Sequence, residues 1–249
     1  MYLNEPKLAD IVKKLFRFKL NSYAAYFSTF VFLQIGALVL AITGSKYSVS
    51  YDSFSSVTII NVSNDFNVVL AMVWALIFGI NLTTVARRNE AFTFISTRLS
   101  NHFANMLVIL TASFFAGIIA ALTSPVLKLF GFLFYGEMVV STPGIVAEPS
   151  DFFLRIITAI AYVLLFFLIG YISSSLVQLH RGFIGVFIII LIVFSSSTAT
   201  WNGAQYIGYI YLFFSDEQSL LLFLLKISGT VLGLFTISTI ITNRLEVRN

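Results

Sequence analysis

His102 and His180 are the chain's only imidazoles, and there is no cysteine to join them. Zinc needs three or four clustered N, S or O ligands. Neither histidine has a nearby thiol, and no H-E-x-x-H run occurs, so no metal site is expected. Both read as ordinary surface residues at polar borders. A serine nucleophile at the tip of a G-x-S-x-G turn is absent, and the serines at 173–175 and 195–197 suit hydrogen bonds between helices or back to their own turns. No G-x-x-x-x-G-K-[ST] stretch is present to cradle phosphates. The sequence therefore assigns no catalytic residue and no bound cofactor.

Charge inside apolar stretches is the other place to look for chemistry, because an unpaired charge at the centre of a bilayer costs several kcal/mol and tends to be functional. Arg155 has Asp151 one turn earlier, a pair that reads as an anchor at a membrane border. Lys226 has no acidic residue one turn away in the sequence. Two readings stand for it: it snorkels outward, or residues 204–226 form a re-entrant helical hairpin, tolerable at that depth only when packed in protein. In the second reading Asp216 and Glu217 mark the turn and Lys226 opens the true last span.

The longest polar interruption is RRNEAFTFISTRLSNHFANM, residues 87 to 106. Phe92, Ile95, Leu99, Phe103 and Met106 recur at helical spacing while Arg98, Asn101 and Asn105 fall elsewhere on the wheel. Asn89 is a candidate N-cap with Glu90 in the first turn, and Ser100 with Asn101 can restart a second helix. The segment reads either as a loop resting on lipid headgroups or as a short helix whose Phe and Ile fill a socket on another protein.

The elements that carry these residues follow from composition. Of 249 residues, 58% are hydrophobic and 10% charged, with a mean hydropathy of +0.93; soluble domains carry about a quarter charged residues. The expected class is an all-α integral membrane protein forming one domain over 1–249. Apolar segments at 23–43, 67–86, 105–123, 153–177, 183–200 and 219–243 each approach the roughly 20 residues a helix needs to cross hydrocarbon. Six spans are predicted. Residues 124–150 begin apolar and end in Pro- and Gly-rich sequence, which predicts an interfacial helix and then a loop. Residues 44–66 predict an exposed loop with some extended structure. The small-residue pairs Gly117/Ala121, Gly170/Ser174 and Gly229/Gly233 allow close helix approach.

Residues 4–22 predict a helix retained at the N-terminus rather than a secretory leader. Leu8, Ile11, Val12, Leu15 and Phe18 form one face and Lys7, Asp10, Lys13, Lys14 and Arg17 the other. Such a helix lies in the membrane plane with its lysines toward anionic lipid. With six spans, eleven of the fifteen basic residues fall on the side of the two termini, which places both termini in the cytoplasm of a cell-membrane protein.

Glu90 followed by Ile95, Ser96, Arg98, Leu99, Ser100 and Asn101 resembles the connector between the second and third spans in the membrane subunits of type-2 ABC exporters. The order of elements is similar too: a basic amphipathic N-terminal helix, six spans, and a polar break before the last. The sequence departs from the family where Arg98 replaces a frequent proline and where Ala91 and Phe92 replace a glycine. The resemblance implies a coupling helix over 89–104, with Glu90, Phe92, Ile95, Arg98, Leu99, Ser100 and His102 facing a cytoplasmic ATPase subunit that binds ATP and Mg. It also implies a second permease, identical or paralogous, and an interfacial helix whose Lys7, Lys13, Lys14 and Arg17 meet lipid or that ATPase. The Phe-rich, small chain is similar to exporters of peptide toxins and to bacitracin-type resistance permeases, so a hydrophobic or amphipathic cargo is expected and nucleic acid is not. The competing expectation is a membrane immunity or sensor protein that binds peptides in the bilayer without ATP.

Overall fold

Val12, Leu15 and Lys19 recur at three- and four-residue intervals, and those three positions are the buried stripe of the first helix, α1 (Leu8–Ser22). The computed structural model describes residues 8–44, 49–50, 56–57, 64–84, 97–135, 149–195, 212–214 and 219–244. At Tyr23 the chain bends directly into α2 (Ala24–Gly44), and the Tyr23 amide still donates to the Lys19 carbonyl at 2.9 Å. The 44–66 connector contributes a two-residue antiparallel pair, β1 (Val49–Ser50) with β2 (Ser56–Val57), in the register Val49 to Val57.

Four long helices complete the described bundle: α3 (Asp65–Leu82), α4 (Arg98–Tyr135), α5 (Pro149–Leu179) and, after the shorter α6 (Phe183–Ser195), α7 (Leu220–Arg244). Five of these described helices, namely α2, α3, α4, α5 and α7, are long and apolar enough to cross a membrane. This is the architecture of an all-helical, multi-pass membrane protein. The predicted span 183–200 is helical over 183–195, about 20 Å at 1.5 Å per residue, and its remaining residues lie outside those described.

One expectation from the sequence does not hold, and a second shifts by two residues. Residues 124–135 do not form a separate interfacial helix; they continue α4 without a break through Pro125. A proline inside a helix removes one backbone bond and costs about 3 kcal/mol, and the helix persists because Thr123, Ser124 and Leu127 on either side of Pro125 are buried against the bundle. The helix leading into the third span, expected to start at Ser100 and Asn101, starts two residues earlier. The helix begins at Arg98 because Thr97 and Ser100 cap it reciprocally: the Ser100 amide donates to Thr97 Oγ1 at 3.2 Å, and the Thr97 amide to Ser100 Oγ at 2.9 Å. This is a capping box with serine in the glutamate position. Residues 89–96 of the predicted coupling helix lie outside the described residues.

Packing is closest where side chains vanish. A Cβ on Gly79 of α3 would lie 2.4 Å from the Phe167 carbonyl oxygen of α5, and one on Gly170 of α5 would lie 2.2 Å from the Leu76 oxygen of α3. The two backbones therefore touch, as small residues permit in membrane helices. Gly117 of α4 meets Ile160 of α5 in the same way, whereas a Cβ on Gly229 or Gly233 of α7 would meet no described atom within 4 Å. Above the glycine contacts an aromatic core forms. Tyr26 stacks on Phe78 at 4.8 Å, Phe27 meets Phe115 edge-on at 5.1 Å, and Trp74 meets Phe167 edge-on at 5.6 Å. Such pairs add about 0.5–1.5 kcal/mol each beyond the area they bury.

Candidate functional site

One end of the bundle, its base, holds a chain of polar side chains contributed by four helices. The first member is Lys19, on the apolar face of α1 and only 5% exposed. Hydrophobic contacts bring it there: Val12 and Leu15 of α1 pack on Ala104 of α4, with Ile11 and Phe103 alongside. Lys19 Nζ donates to the side-chain oxygens of both Asn101 and Asn105, one turn apart on α4. No carboxylate among the described residues pairs with it. Burial lowers the Lys19 amine to about 7 from its ordinary value near 10.5, as expected for an ammonium removed from water without a counter-charge. The positive N-terminal end of α4, two turns or less away, acts in the same direction.

From Asn105 the chain runs on. Asn105 Nδ2 donates to the Tyr171 hydroxyl oxygen on α5 at 3.4 Å, and that hydroxyl lies 3.1 Å from His102 Nδ1. The other ring nitrogen, Nε2, lies 3.2 Å from Thr239 Oγ1 and 3.5 Å from Ser238 Oγ on α7. Thr239 and Ser238 both donate their hydroxyl protons to the Phe235 carbonyl, at 2.8 and 2.9 Å. Each hydroxyl has one proton, so both oxygens act as acceptors toward the ring, and His102 must carry its proton on Nε2. Nδ1 is then a lone pair, and Tyr171 supplies its donor. Every bond consequently points one way, from the Lys19 amine through Asn105, Tyr171, His102 and Thr239 to the backbone of α7. Bonds aligned in this manner polarise one another. An amide in the middle does not pass protons as hydroxyls do, so the arrangement is a rigid tie between helices rather than a proton wire.

His102 is thus corrected from a surface histidine to a core one, 1% exposed. The reason is that α4 starts as early as Arg98, which carries residue 102 inside a base closed by α1, α5 and α7. Ser100 is likewise buried, with its hydroxyl engaged in the cap, and is not available to a docking partner. Leu99 is at the surface of the first turn of α4. Glu90, Phe92, Ile95, Lys7, Asp216 and Glu217 lie outside the described residues. Lys13, Lys14 and Arg17 are exposed on α1, on the side away from the bundle.

Lys226 lies toward the opposite end of the bundle. Its ammonium donates to the Phe213 carbonyl at 3.1 Å and sits 4.2 Å from the centre of the Phe213 ring. The adjoining Phe214 carbonyl accepts from the Tyr162 hydroxyl at 2.8 Å. A short helical stretch at 212–214 is therefore tied to both α5 and α7. Three or more His, Cys, Asp or Glu side chains gathered as for a metal ion do not occur among the described residues.

Sequence reasoning missed Asn101, Asn105, Tyr171, Ser238 and Thr239 as a group, and it counted Lys19 only as one basic residue among eleven. A signal was present. Lys19 follows Val12 by seven residues and Leu15 by four, which puts a lone charge on the apolar face, and Asn101 and Asn105 share a face four residues apart. The tyrosine and the α7 hydroxyls carry no such signal, because only the tertiary fold brings them to the histidine. The chain matches no family model, no curated protein and no solved structure.

Proposed function

We propose that the protein is the membrane subunit of a type-2 ABC exporter, moving a hydrophobic or amphipathic cargo outward with ATP hydrolysed by a separate cytoplasmic subunit. The observation that carries this reading is the fastening of α1 to the first two turns of α4 by the Lys19–Asn101–Asn105 contacts. Residues 89–104, which resemble the family's coupling connector, include those turns. A push on that segment reaches α4 at once, and through Tyr171, His102 and Thr239 it reaches α5 and α7. Two further features agree: apolar helices long enough to span a bilayer and the absence of any phosphate-cradling loop in the sequence. In this mechanism the helices transmit force and perform no chemistry. Closure of paired ATPases tilts the base of each permease as a rigid body and opens the far side of a permease dimer. The exposed basic residues Lys13, Lys14 and Arg17 face anionic lipid or the ATPase, and Lys226, one turn and a half into α7 rather than at its start, is held against Phe213.

The test is co-purification from the native membrane with a subunit carrying Walker A and signature motifs. Replacing Phe92, Ile95 and Leu99 together by Asp should abolish the association while the permease still folds, as judged by its elution and melting in detergent. ATPase binding that survives the triple substitution overturns the docking assignment. Full activity in cells lacking any cognate ATPase overturns the exporter itself and favours the immunity or sensor reading.

A further inference from the structure

A buried ammonium with only neutral partners is unusual, because an unpaired charge is expensive to remove from water. Lys19 is bonded on α4 to Asn101 and Asn105, and beyond Asn105 lie the Tyr171 hydroxyl of α5 and the His102 ring that it meets. The start of α2 offers Tyr23. On α1 itself the exposed Lys13, Lys14 and Arg17 add positive charge, and Asp10, the acid of the first turn, lies more than two turns away. None of these groups brings a negative charge to hold a proton on the amine, while two amide oxygens need only the two N–H groups that a neutral amine still has.

We propose that Lys19 is a proton-released latch: with a neutral amine α1 stays docked on α4, and when the amine takes up a proton α1 leaves the base and the polar tie to α5 and α7 loses its first member. As the regulation of the coupling lever, this rests on the exporter reading; as a property of α1, it does not. Hydration of the ammonium is what the released state gains. The docked amine lies at about 7, against about 10.5 when free. Between those values the released form binds more protons, so the ratio of docked to released α1 rises about tenfold per pH unit and becomes level outside that window. Docking is therefore tightest under alkaline conditions and weakest at and below neutral pH. Only the chain up to Tyr23 moves, and α2 beyond it stays in place through Phe30 and its contacts with Trp74.

The chain has no cysteine, which makes a two-label distance measurement direct. Spin labels on Lys14→Cys in α1 and Arg181→Cys beyond α5, both exposed positions, report the docked distance in nanodiscs of neutral phosphatidylcholine. In the doubly labelled protein, the docked population should grow as pH is raised from about 6 to about 9, changing about tenfold in ratio per unit above neutrality. Lys19→Met, which cannot be protonated, should remain docked throughout, and Lys19→Arg, which cannot be deprotonated, should remain released. An identical distance distribution at every pH in the unsubstituted chain overturns the latch, as does a pH-dependent shift that survives Lys19→Met or that disappears in His102→Gln alone. None of these readouts requires an ATPase, so failure of the latch leaves the co-purification test of the exporter untouched, and the reverse also holds.

Discussion

Gly170→Ala is the sharpest perturbation the packing offers, because the same chemical change is available at a site where it should be harmless. At position 170 the added methyl would lie 2.2 Å from the Leu76 carbonyl oxygen and 3.0 Å from its carbonyl carbon. Ordinary contact between carbon and oxygen needs about 1 Å more, and the obstacle is backbone on a neighbouring helix, which cannot rotate away. Overpacking of this kind costs about 1–3 kcal/mol, partly offset by the alanine helix preference of about 1 kcal/mol over glycine. At Gly233 there is no described atom within 4 Å, so only the helix preference operates there. The two variants should differ by about 1–3 kcal/mol. At about 2–4 °C per kcal/mol for a chain of this length, Gly170→Ala should melt below Gly233→Ala by about 2–12 °C in the same detergent. Melting of Gly170→Ala at or above Gly233→Ala would refute the claim that the α3 and α5 backbones touch.

Other substitutions probe the same structure by different means. Tyr171→Phe removes the donor to His102 Nδ1 and strands a buried lone pair, a loss of about 1–3 kcal/mol; pairing it with His102→Leu should recover part of that loss in a double-mutant cycle, and strict additivity would deny the bond. Phe30→Ala, at a side chain with 0% exposure, should cost about 3–5 kcal/mol, while Phe32→Ala, 74% exposed, should leave the detergent melting point nearly unchanged. Thr97→Ala removes the cap of α4 and should lower stability by about 0.5–2 kcal/mol, measured by reversible denaturation in mixed micelles.

Composition and apolar run length were enough to anticipate an all-helical membrane protein, and the spans at 23–43, 67–86, 153–177 and 219–243 differ from α2, α3, α5 and α7 by a few residues at each end. Hydropathy measures lipid preference, though, and not where backbone bonds continue, so it ended the third span at residue 123 while the helix runs on to Tyr135. The 44–66 connector was expected to contain extended structure, and Val49–Ser50 pairs with Ser56–Val57. The base was less legible. His102 lies among polar residues in the chain and looks like a surface group; its burial depends on Tyr171 and Thr239, which are 69 and 137 residues distant. The same polar residue types describe a solvated loop or a satisfied network until the fold says which.

The bundle's two polar belts are unequal, and the inequality predicts which end opens first. In the base, the chain from Lys19 to the Phe235 carbonyl is satisfied at each link. About 22 Å along α4, from Asn105 to Ala120 at 1.5 Å per residue, lies a second belt. There Gln34 Nε2 donates to the Asn67 carbonyl at 3.1 Å, Asn67 Nδ2 to Asn64 Oδ1 at 2.8 Å, and Asn64 Nδ2 to the Ala120 carbonyl at 3.0 Å. These bonds fix all three amide orientations, and they leave Gln34 Oε1 and Asn67 Oδ1 buried with no partner among the described residues, as is Trp74 Nε1 nearby on α3. Each such group forfeits about 1–3 kcal/mol that separation and hydration would return. Separating α2 from α3 at this level should therefore be easier than opening the base. Hydrogen exchange in nanodiscs should show amides of α3 near Asn67 exchanging before those of α4 from Asn101 to Asn105. The opposite order would mean that the unpartnered oxygens are bonded in the membrane-embedded protein, and the argument for a weaker far end would fall with them.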